Sequence, residues 1–158
     1  MPSLLFGNSD LVVEVDEVDY LYFWMYSWTL GKDGYAICSA QPYRNQRLHA
    51  LIGKRMKIVG MVDHADRNKL NCKRENLRPA TQSQSTANSD RPNTTTGFRG
   101  VRVDTRTKKF SAMIFKDGQH YYLGYFNCAS EAAIAYDKKA IELYGEYAVT
   151  NFPKENYA

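Results

Sequence analysis

The sequence predicts an α+β protein with two domains: a mixed N-terminal domain, and a C-terminal domain in which three antiparallel strands pack on one helix. Three short segments in the C-terminal part alternate apolar and polar residues, and a segment of helical period follows them. Before these segments the chain runs through STANSDRPNTTTG, which has the composition of an exposed connector. Nearer the N-terminus, short apolar runs predict strands on either side of a long polar loop.

The charge of the chain is unevenly distributed, although its net value is only +4. Residues 1–41 carry one lysine and six acidic residues, whereas residues 42–80 carry ten basic and three acidic residues. Residues 98–122 add six basic and two acidic residues. Lys and Arg clusters replace the counterions condensed on phosphate, so these two basic stretches predict two contacts with a polyanion. On charge alone, a solvated basic surface is the alternative.

The cysteines and the apolar runs set expectations about compartment. Cys38, Cys72 and Cys128 are odd in number and form no CxxC pair, so we expect neither a disulfide framework nor a structural zinc site. No apolar run approaches the length of about 18 residues that a membrane span needs, and no leader with a cleavage site is recognisable. We therefore expect a cytoplasmic protein with no membrane partner.

The first sixty residues are interpreted as scaffold. Apolar, β-branched and aromatic residues occur there in short runs bounded by turn signals, which is the pattern of strands. The expected elements are a strand at 11–15, a helical turn and a strand within 18–30, and strands at 35–40 and 58–62.

The connector defines the predicted domain boundary. Between Ser83 and Gly97 the chain loses almost all of its large apolar residues, which favours an exposed linker. A short helix should begin at about Thr81, whose hydroxyl can cap it. The predicted division is a first domain at 1–88, a linker at 89–96 and a second domain at 97–158.

Three strands and one helix are expected in the second domain. Asp117 and Gly118 tolerate the positive φ angles of a tight hairpin turn, so the second and third strands should pair antiparallel. Gly145 is a stop signal for the helix. The predicted strands are 97–103, 109–115 and 120–126, and the predicted helix is 129–144 with Ala129, Ala133, Tyr136, Ala140 and Leu143 along its buried stripe.

Alternation assigns each strand residue to one face of this sheet. The face towards the helix is predicted to carry Val101, Val103, Ala112, Ile114, Tyr121 and Leu123. The opposite face is predicted to carry Arg102, Asp104, Met113, Phe115, His120 and Tyr122.

Asp63 and His64 stand side by side after an apolar run and before the long polar loop. Hydrolysis of a phosphodiester needs a base for the water, and histidine suits this role because its ordinary pKa is about 6.5. It also needs a cation for the phosphate, and a carboxylate suits a hard cation such as magnesium. Neighbours on a strand point to opposite sides unless the chain turns sharply, as the loop composition predicts. Taken alone, the pair is weak evidence, and an ordinary role at the surface or in the core is favoured over a catalytic one.

The wider segment 48–88, which includes VDHADRNKLNCKRENLRPATQSQSTAN, resembles the HNH endonuclease motif of phage and intron-borne homing nucleases. The resemblance implies a ββα-metal fold, with a β-hairpin and a helix around one divalent ion. It implies that His64 deprotonates the attacking water and that Asn76 braces the loop carrying this histidine. Asp63 is implied to hold the ion, Mg²⁺ with Mn²⁺ as the alternative, against the scissile phosphate.

The last metal ligand departs from the family pattern. Many members carry His or Asn twenty-one residues after the first histidine, and Ser85 occupies that position here. Asn88 follows one helical turn later on the same face. Three alternatives stay open: Asn88 completes the site, a water held by Ser85 completes it, or the activity is weakened.

His49 lies in the run LHALI, where the same family often carries a histidine. Contact with a phosphate and a structural role among apolar neighbours are both open.

Residues 97–152 resemble the ethylene-response-factor (Apetala-type) DNA-binding domain, because RGVR, LGYF, EAAIAYD and NFP occur in its order. The resemblance implies that the sheet lies in the major groove of double-stranded DNA. Met113 and Phe115 replace charged residues that are expected to read bases or phosphates, so the target of the family does not transfer. The implied contacts are Arg99, Arg102, His120 and Tyr122, with Arg106 and Lys108 reaching phosphates.

Together, the two resemblances imply a homing-type endonuclease, a monomer or weak dimer that cuts one DNA strand per monomer. It would act in the host cytoplasm if it is phage-encoded. The alternative is a non-catalytic, sequence-specific DNA-binding regulator with a decayed nuclease half, which Ser85 favours.

Overall fold

The computed structural model describes residues 2–89 and 95–157, so most of the predicted linker 89–96 lies outside the described residues. The chain divides into two compact units, Met1–Thr81 and Gln82–Ala158. The described parts contain three sheets and four α-helices. None of these helices is long and apolar enough to cross a bilayer.

The two compact units meet in the sequence at Thr81, within the predicted first domain 1–88. The predicted domain and linker bounds at 88 and 97 stay predictions. The short helix α3 (Gln82–Ala87), expected from about Thr81, therefore belongs to the second unit. Within that unit, the hydroxyl of Ser83 lies 3.3 Å from that of Tyr144. Helix α3 belongs to the second unit because of its tertiary contacts, and the composition of the connector does not predict those contacts.

A four-stranded sheet and two helices form the scaffold of the first unit. The strand order is β2–β1–β3–β4, with β1 and β3 parallel and the other neighbours antiparallel. The elements are β1 (Ser3–Phe6), β2 (Ser9–Glu14), α1 (Glu17–Phe23), β3 (Trp28–Leu30), β4 (Ala36–Cys38) and α2 (Leu48–Arg55). The predicted strands at 11–15 and 35–40, and the helical turn and strand within 18–30, are confirmed. Strand β1 and helix α2 were not predicted.

The core of the first unit lies between the sheet and the two helices. Trp28 is fully buried, and its indole Nε1–H donates to the carbonyl of Phe23 at 3.2 Å, which satisfies the polar atom of the ring. The Phe23 and Trp28 rings meet edge to face, with centroids 5.8 Å apart. Leu48, Leu51 and Ile52 are buried at helical spacing, so the LHALI run forms a helix with one apolar face.

One buried carboxylate joins three elements of the first unit. Asp19 in α1 is completely buried, and it accepts from Arg55 Nε at 2.9 Å and from Arg74 Nε at 2.6 Å. Burial raises the pKa of Asp19, but hydrogen bonds and charge attraction from the two guanidinium groups outweigh this effect and leave the pKa below its usual value. Asp16 Oδ2 also accepts from the backbone N–H of Arg74 at 2.7 Å. Helix α1 therefore ties the end of α2 to a short 3-10 turn, Arg74–Asn76.

A two-stranded hairpin follows the scaffold, formed by β5 (Met61–His64) and β6 (Leu77–Ala80). Strand β5 begins later than the predicted strand 58–62, because Val59 is exposed and Gly60 has a φ of +94°. Helix α2 lies directly on this strand: a Cβ atom at Gly53 would overlap the side chain of Val62. The glycine therefore permits the close packing of helix on hairpin.

The second unit contains the predicted three-stranded antiparallel sheet and helix. The strands are β7 (Val101–Val103), β8 (Phe110–Lys116) and β9 (Gln119–Phe126), in that order, and α4 (Ala129–Tyr144) packs on them. The turn between β8 and β9 has positive φ at Asp117 and Gly118, as the sequence predicts.

The assignment of residues to sheet faces and to the helix stripe is wrong at several positions. Val103 is 38% exposed, because the last residue of β7 extends beyond the buried core. The pairs Ala112 with Gly124 and Met113 with Tyr122 leave Leu123 as an extra residue, a bulge that shifts the alternation of β9. Ala129 and Leu143 are only half-buried. The buried helix residues are Ala132, Ala133, Tyr136, Asp137, Ala140 and Tyr144.

Asp137 connects α4 to the C-terminal segment. Its buried carboxylate accepts from the backbone N–H groups of Asn151 and Phe152 at 2.8 and 2.9 Å, and from the Tyr157 hydroxyl at 2.8 Å. Asn151 Oδ1 in turn accepts from the backbone N–H of Arg99 at 2.6 Å. The RGVR, AYD and NFP segments therefore meet in one hydrogen-bonded network.

We expect Asp19→Asn to lower the free energy of unfolding by about 3 kcal/mol, because it leaves two guanidinium groups without their buried partner. The matched control is Asp33→Asn, which breaks the exposed ion pair with Arg47 and should cost about 0–1 kcal/mol. Urea unfolding followed by circular dichroism measures both. Equal losses in the two variants would contradict the structural role of Asp19.

Candidate functional site

Asp63 and His64 are consecutive on β5, and both side chains are buried, with 8% and 4% of their surface exposed. Arg78 is the cross-strand partner of Asp63, and its Nε and Nη2 atoms each lie 3.4 Å from Asp63 Oδ2. His64 pairs with Leu77 and is the last residue of the strand. The chain turns only after it, where the N–H of Arg67 donates to the His64 carbonyl at 3.0 Å. The predicted sharp turn therefore follows the Asp-His pair and does not separate its two residues.

The imidazole of His64 belongs to a cluster with Tyr35, His49 and Cys72, here called the ring cluster. The ring centroids of His64 and His49 are 4.9 Å apart, and those of His64 and Tyr35 are 6.0 Å apart. His64 Nε2 lies 3.6 Å from Cys72 Sγ. These residues come from four separate stretches of the chain, and the fold brings them together.

Burial controls protonation in the ring cluster. It lowers the pKa of His64 to about 4, and it lowers that of His49 to about 3, with a further contribution from the neighbouring His64. Burial also raises the pKa of Cys72 to about 12. At neutral pH both imidazoles are therefore uncharged, and the thiol keeps its proton.

The side-chain amide of Asn76 holds the loop that follows His64. Asn76 Nδ2 donates to Asp66 Oδ1 at 2.9 Å and to the Asn71 carbonyl at 2.7 Å. Its Oδ1 accepts from the backbone N–H of Asp66 at 2.9 Å, and its backbone carbonyl accepts from that of Ala65 at 2.9 Å. Asn76 thus joins both ends of the loop 65–71, which is the geometry that a bracing role requires.

The carboxylate of Asp66 also stabilises this loop through hydrogen bonds. Its carboxylate accepts from the Asn68 backbone N–H at 2.8 Å and from Asn71 Nδ2 at 2.7 Å. Burial raises the pKa of Asp66, but hydrogen bonds from Asn71, Asn68 and Asn76 outweigh it and lower the pKa below its usual value. The Asp and Asn residues of DRNKLN could have predicted this hydrogen-bonded loop, because their side chains often bond to nearby backbone groups in turns.

The loop is also anchored to the scaffold. The N–H of Glu14 in β2 donates to the Leu70 carbonyl at 2.8 Å, and the N–H of Cys72 donates to the Glu14 carbonyl at 2.9 Å. Lys73 forms an ion pair with Glu14 at 2.9 Å. Strand β2 thus fixes the loop, and with it Cys72, next to His64.

The hairpin offers a divalent ion one carboxylate, that of Asp63. In the part of the chain that the structure describes, no group of three or more His, Cys, Asp or Glu side chains is placed to hold a metal ion. Magnesium is commonly held by one or two carboxylates, with substrate phosphates and water as its other ligands. Asp63 supplies such a carboxylate; it faces Arg78, whereas the uncharged ring of His64 lies in the ring cluster.

Ser85 and Asn88, the other expected ligands, lie in the second unit. Ser85 is half-buried in α3. Asn88 follows that helix, is 5% exposed, and its backbone N–H donates to the Gln84 carbonyl at 2.9 Å. Their roles as metal ligands stay predictions.

Most of the expected DNA contacts lie at the surface of the second unit. Arg102, His120 and Tyr122 are exposed on the face of the sheet opposite α4, and Arg106 and Lys108 are exposed in the turn between β7 and β8. These five side chains lie outside the buried core and are accessible to a ligand.

Arg99 is bound within the unit. Its Nε donates to the Tyr136 hydroxyl at 3.0 Å, its Nη1 to the Ser89 carbonyl at 2.6 Å and its Nη2 to the Thr86 carbonyl at 3.4 Å. The guanidinium therefore links α4 to the end of α3. Its predicted contact with DNA stays a prediction.

Sequence reasoning missed Tyr35 and Cys72 near His64, and it missed Tyr125 on the outer face of the sheet. Tyr125 is 55% exposed because of the bulge in β9. Gly124, with a φ of +113°, was the available signal, since glycine inside a strand often marks a bulge.

The sequence of this chain is similar to those of several known proteins. No protein-family model matches the chain. An uncharacterised HNH endonuclease of Acanthamoeba polyphaga mimivirus is 34% identical over 132 residues, covering 80% of this chain and 67% of that relative. An ethylene-responsive transcription factor of Arabidopsis thaliana is 42% identical over 62 residues, which are 38% of this chain and 14% of that relative. An APETALA2-like protein of Oryza sativa is 40% identical over 60 residues and is covered to the same 14%.

The plant proteins are similar to the C-terminal segment alone, whereas the viral relative matches most of the chain. The expected combination of the two resemblances is confirmed. This chain belongs to the HNH endonuclease family and carries a C-terminal segment similar to the Apetala-type proteins of plants.

Proposed function

We propose that this protein is a metal-dependent endonuclease that hydrolyses phosphodiester bonds of double-stranded DNA. One observation carries the proposal: in a chain of the HNH family, the buried Asp63 and His64 precede a loop that Asn76 closes through its side-chain amide. The proposed water-activating base and the proposed oxygen ligand for a cation then occupy consecutive positions on one strand of a braced hairpin.

His64 is the proposed general base. It is uncharged at neutral pH because burial lowers its pKa to about 4, so it is ready to accept a proton. A bound phosphodiester brings negative charge to the ring, and negative charge favours the imidazolium form. The pKa of His64 should therefore rise when substrate binds, which strengthens the base at the step where it is needed.

Cys72 is proposed to select the nitrogen that accepts the proton. If the Nε2–H of His64 donates to Cys72 Sγ at 3.6 Å, Nδ1 is the unprotonated nitrogen and the proposed acceptor of the proton from water. His49 and Tyr35 pack against the ring and restrict its rotation. Orientation of a base by a partner on its other nitrogen is a general feature of such sites.

Asp63 is the proposed ligand of a divalent ion, Mg²⁺ or Mn²⁺; Asn88 and a water held by Ser85 stay the alternatives that the sequence predicts for a further donor. When bound, such an ion stabilises negative charge on the phosphate and on the leaving 3′ oxygen. Arg78, 3.4 Å from the Asp63 carboxylate, would add a positive charge near a phosphate that binds beside Asp63.

The C-terminal unit is proposed to hold the protein on DNA. The relatives of this segment include an ethylene-responsive transcription factor, and its sheet presents Arg102, His120 and Tyr122 on one exposed face. Arg106 and Lys108 would contact phosphates at one end of that face. A tether of this kind raises the local concentration of a weakly specific nuclease at its target.

A DNA-binding regulator without nuclease activity is the second candidate. The observation that favours it is Ser85, which stands where many members of the family carry His or Asn. In that case the second unit would bind DNA and the first would serve only as a folded support.

We expect the protein to cut plasmid DNA in the presence of Mg²⁺ or Mn²⁺ and not in EDTA. His64→Ala should reduce the rate by about 10²- to 10⁴-fold, the usual contribution of general base catalysis. Asp63→Asn should lose metal-dependent cutting, whereas Asp10→Asn, a matched change at an exposed position in β2, should not. The measurement is an initial rate by gel electrophoresis.

Cutting by His64→Ala at the parental rate would exclude the proposed base. Absence of cutting by the parent protein, with DNA binding retained, would select the regulator instead.

We expect single-strand nicks from each monomer, because the proposed site has one base and one metal ion. Supercoiled plasmid should convert fully to open circles before linear DNA accumulates. Linear product appearing together with the first open circles, at low enzyme concentration, would show that two sites act in concert. The time course at several enzyme concentrations distinguishes these outcomes.

A further inference from the structure

The exposed face of the C-terminal sheet is largely aromatic and apolar at its centre. Cross-strand pairing places Met113 beside Tyr122 and Phe115 beside His120 on the same face. The bulge in β9 adds Tyr125 to them. We call the surface formed by Met113, Phe115, His120, Tyr122 and Tyr125 the aromatic face.

The rings of the aromatic face support one another and still expose much of their surface. The centroids of Phe115 and His120 are 4.9 Å apart, and those of Tyr122 and Tyr125 are 5.8 Å apart in an edge-to-face arrangement. Phe115, Tyr122 and Tyr125 are nevertheless 51%, 57% and 55% exposed. Rigid, exposed rings of this kind lose little side-chain entropy when a ligand covers them.

Positive charge lies at one end of the aromatic face and is sparse within it. Among the strand residues on this side of the sheet, Arg102 is the one cation, and Lys116 instead donates to the Leu143 carbonyl on the α4 side at 2.6 Å. Arg106 and Lys108 lie exposed in the turn that joins β7 to β8. At the same end, Asp104 is a carboxylate that is hydrogen-bonded to the side chain of Tyr125. With two cations beside it, this distribution complements a ligand that has an apolar patch and an anionic edge.

The major groove of DNA has this chemistry where thymine is present. Guanine is read mainly by bidentate Arg or Lys, and among the strand residues of this face only Arg102, on the edge strand β7, is of this type. Thymine instead presents a C5-methyl group, the one apolar feature of the groove, between two rows of phosphates. Each methyl group removed from water on contact corresponds to about a fourfold gain in affinity.

We propose that the aromatic face reads thymine methyl groups in the major groove, and that Met113, Phe115 and Tyr122 are the residues that determine this specificity. The inference rests on the proposed binding of duplex DNA and is independent of cleavage. Arg106 and Lys108 supply phosphate contacts that do not distinguish sequences.

The test compares duplexes that differ only in methyl groups. Binding of the full-length protein is measured in EDTA by fluorescence anisotropy, so that cutting plays no part. The probes are alternating A·T and A·U duplexes of equal length, and alternating G·C duplexes with cytosine or 5-methylcytosine. We expect the A·T duplex to bind at least about fourfold more tightly than A·U, one covered methyl group being sufficient. The 5-methylcytosine duplex should bind more tightly than unmethylated G·C.

Variants separate methyl contact from an indirect effect of the methyl group on DNA shape. Phe115→Ala should bring the ratio of A·T to A·U affinity towards one. Arg106→Ala should weaken all four duplexes by a similar factor and leave that ratio unchanged. Leu5→Ala, which truncates an exposed apolar side chain in the first unit, is the matched control and should change neither quantity.

Equal affinity of the parent protein for A·T and A·U duplexes would overturn the inference. Tighter binding to single-stranded than to duplex A·T DNA would also overturn it, since the rings would then be a base-stacking platform. A protein that binds no DNA and sediments as a dimer would also overturn the inference, because the aromatic face would then be a protein–protein contact. A methyl preference in a protein that does not cut DNA would support this inference and remove only the endonuclease proposal.

Discussion

The carboxamide of Asn76 is the contact on which the candidate site depends, because it closes the loop that begins directly after Asp63 and His64. The same residue ends the 3-10 turn whose first member, Arg74, is held by the buried carboxylate of Asp19. The Asp19 carboxylate in α1 thus holds Arg74, and Asn76 at the other end of the same turn holds the loop of the hairpin. The scaffold, which carries none of the proposed chemistry, determines where that chemistry takes place.

Local patterns predicted those elements of the fold that depend on neighbours in the sequence. Helix α4 matches its predicted bounds, and the turn at Asp117 and Gly118 has the expected backbone. Tertiary contacts decided the others. The LHALI run is a helix because Gly53 allows it to pack on β5, and Tyr125 reaches the outer face because of a bulge that alternation alone cannot reveal.

The candidate site was predictable to the extent that its residues are close in the sequence. The spacing of Asp63, His64 and Asn76 is readable as a motif, and the hydrogen bonds of Asn76 have the geometry that a bracing role requires. Tyr35, His49 and Cys72 come from three other segments, and only the fold brings them to the imidazole. The sequence predicts that Arg99 contacts DNA. Its guanidinium makes three hydrogen bonds inside the second unit, which the sequence did not reveal.

We propose that the loop after His64, held by Asn76, makes the hairpin an active nuclease site. The single-turnover rate of DNA cutting by Asn76→Ala, measured at saturating DNA and metal, tests this proposal. Displacement of a reacting group by about 1 Å can cost about 100-fold in rate, so we predict a loss of that order with unchanged DNA affinity. A variant that is folded and cuts at the parental rate would contradict the account.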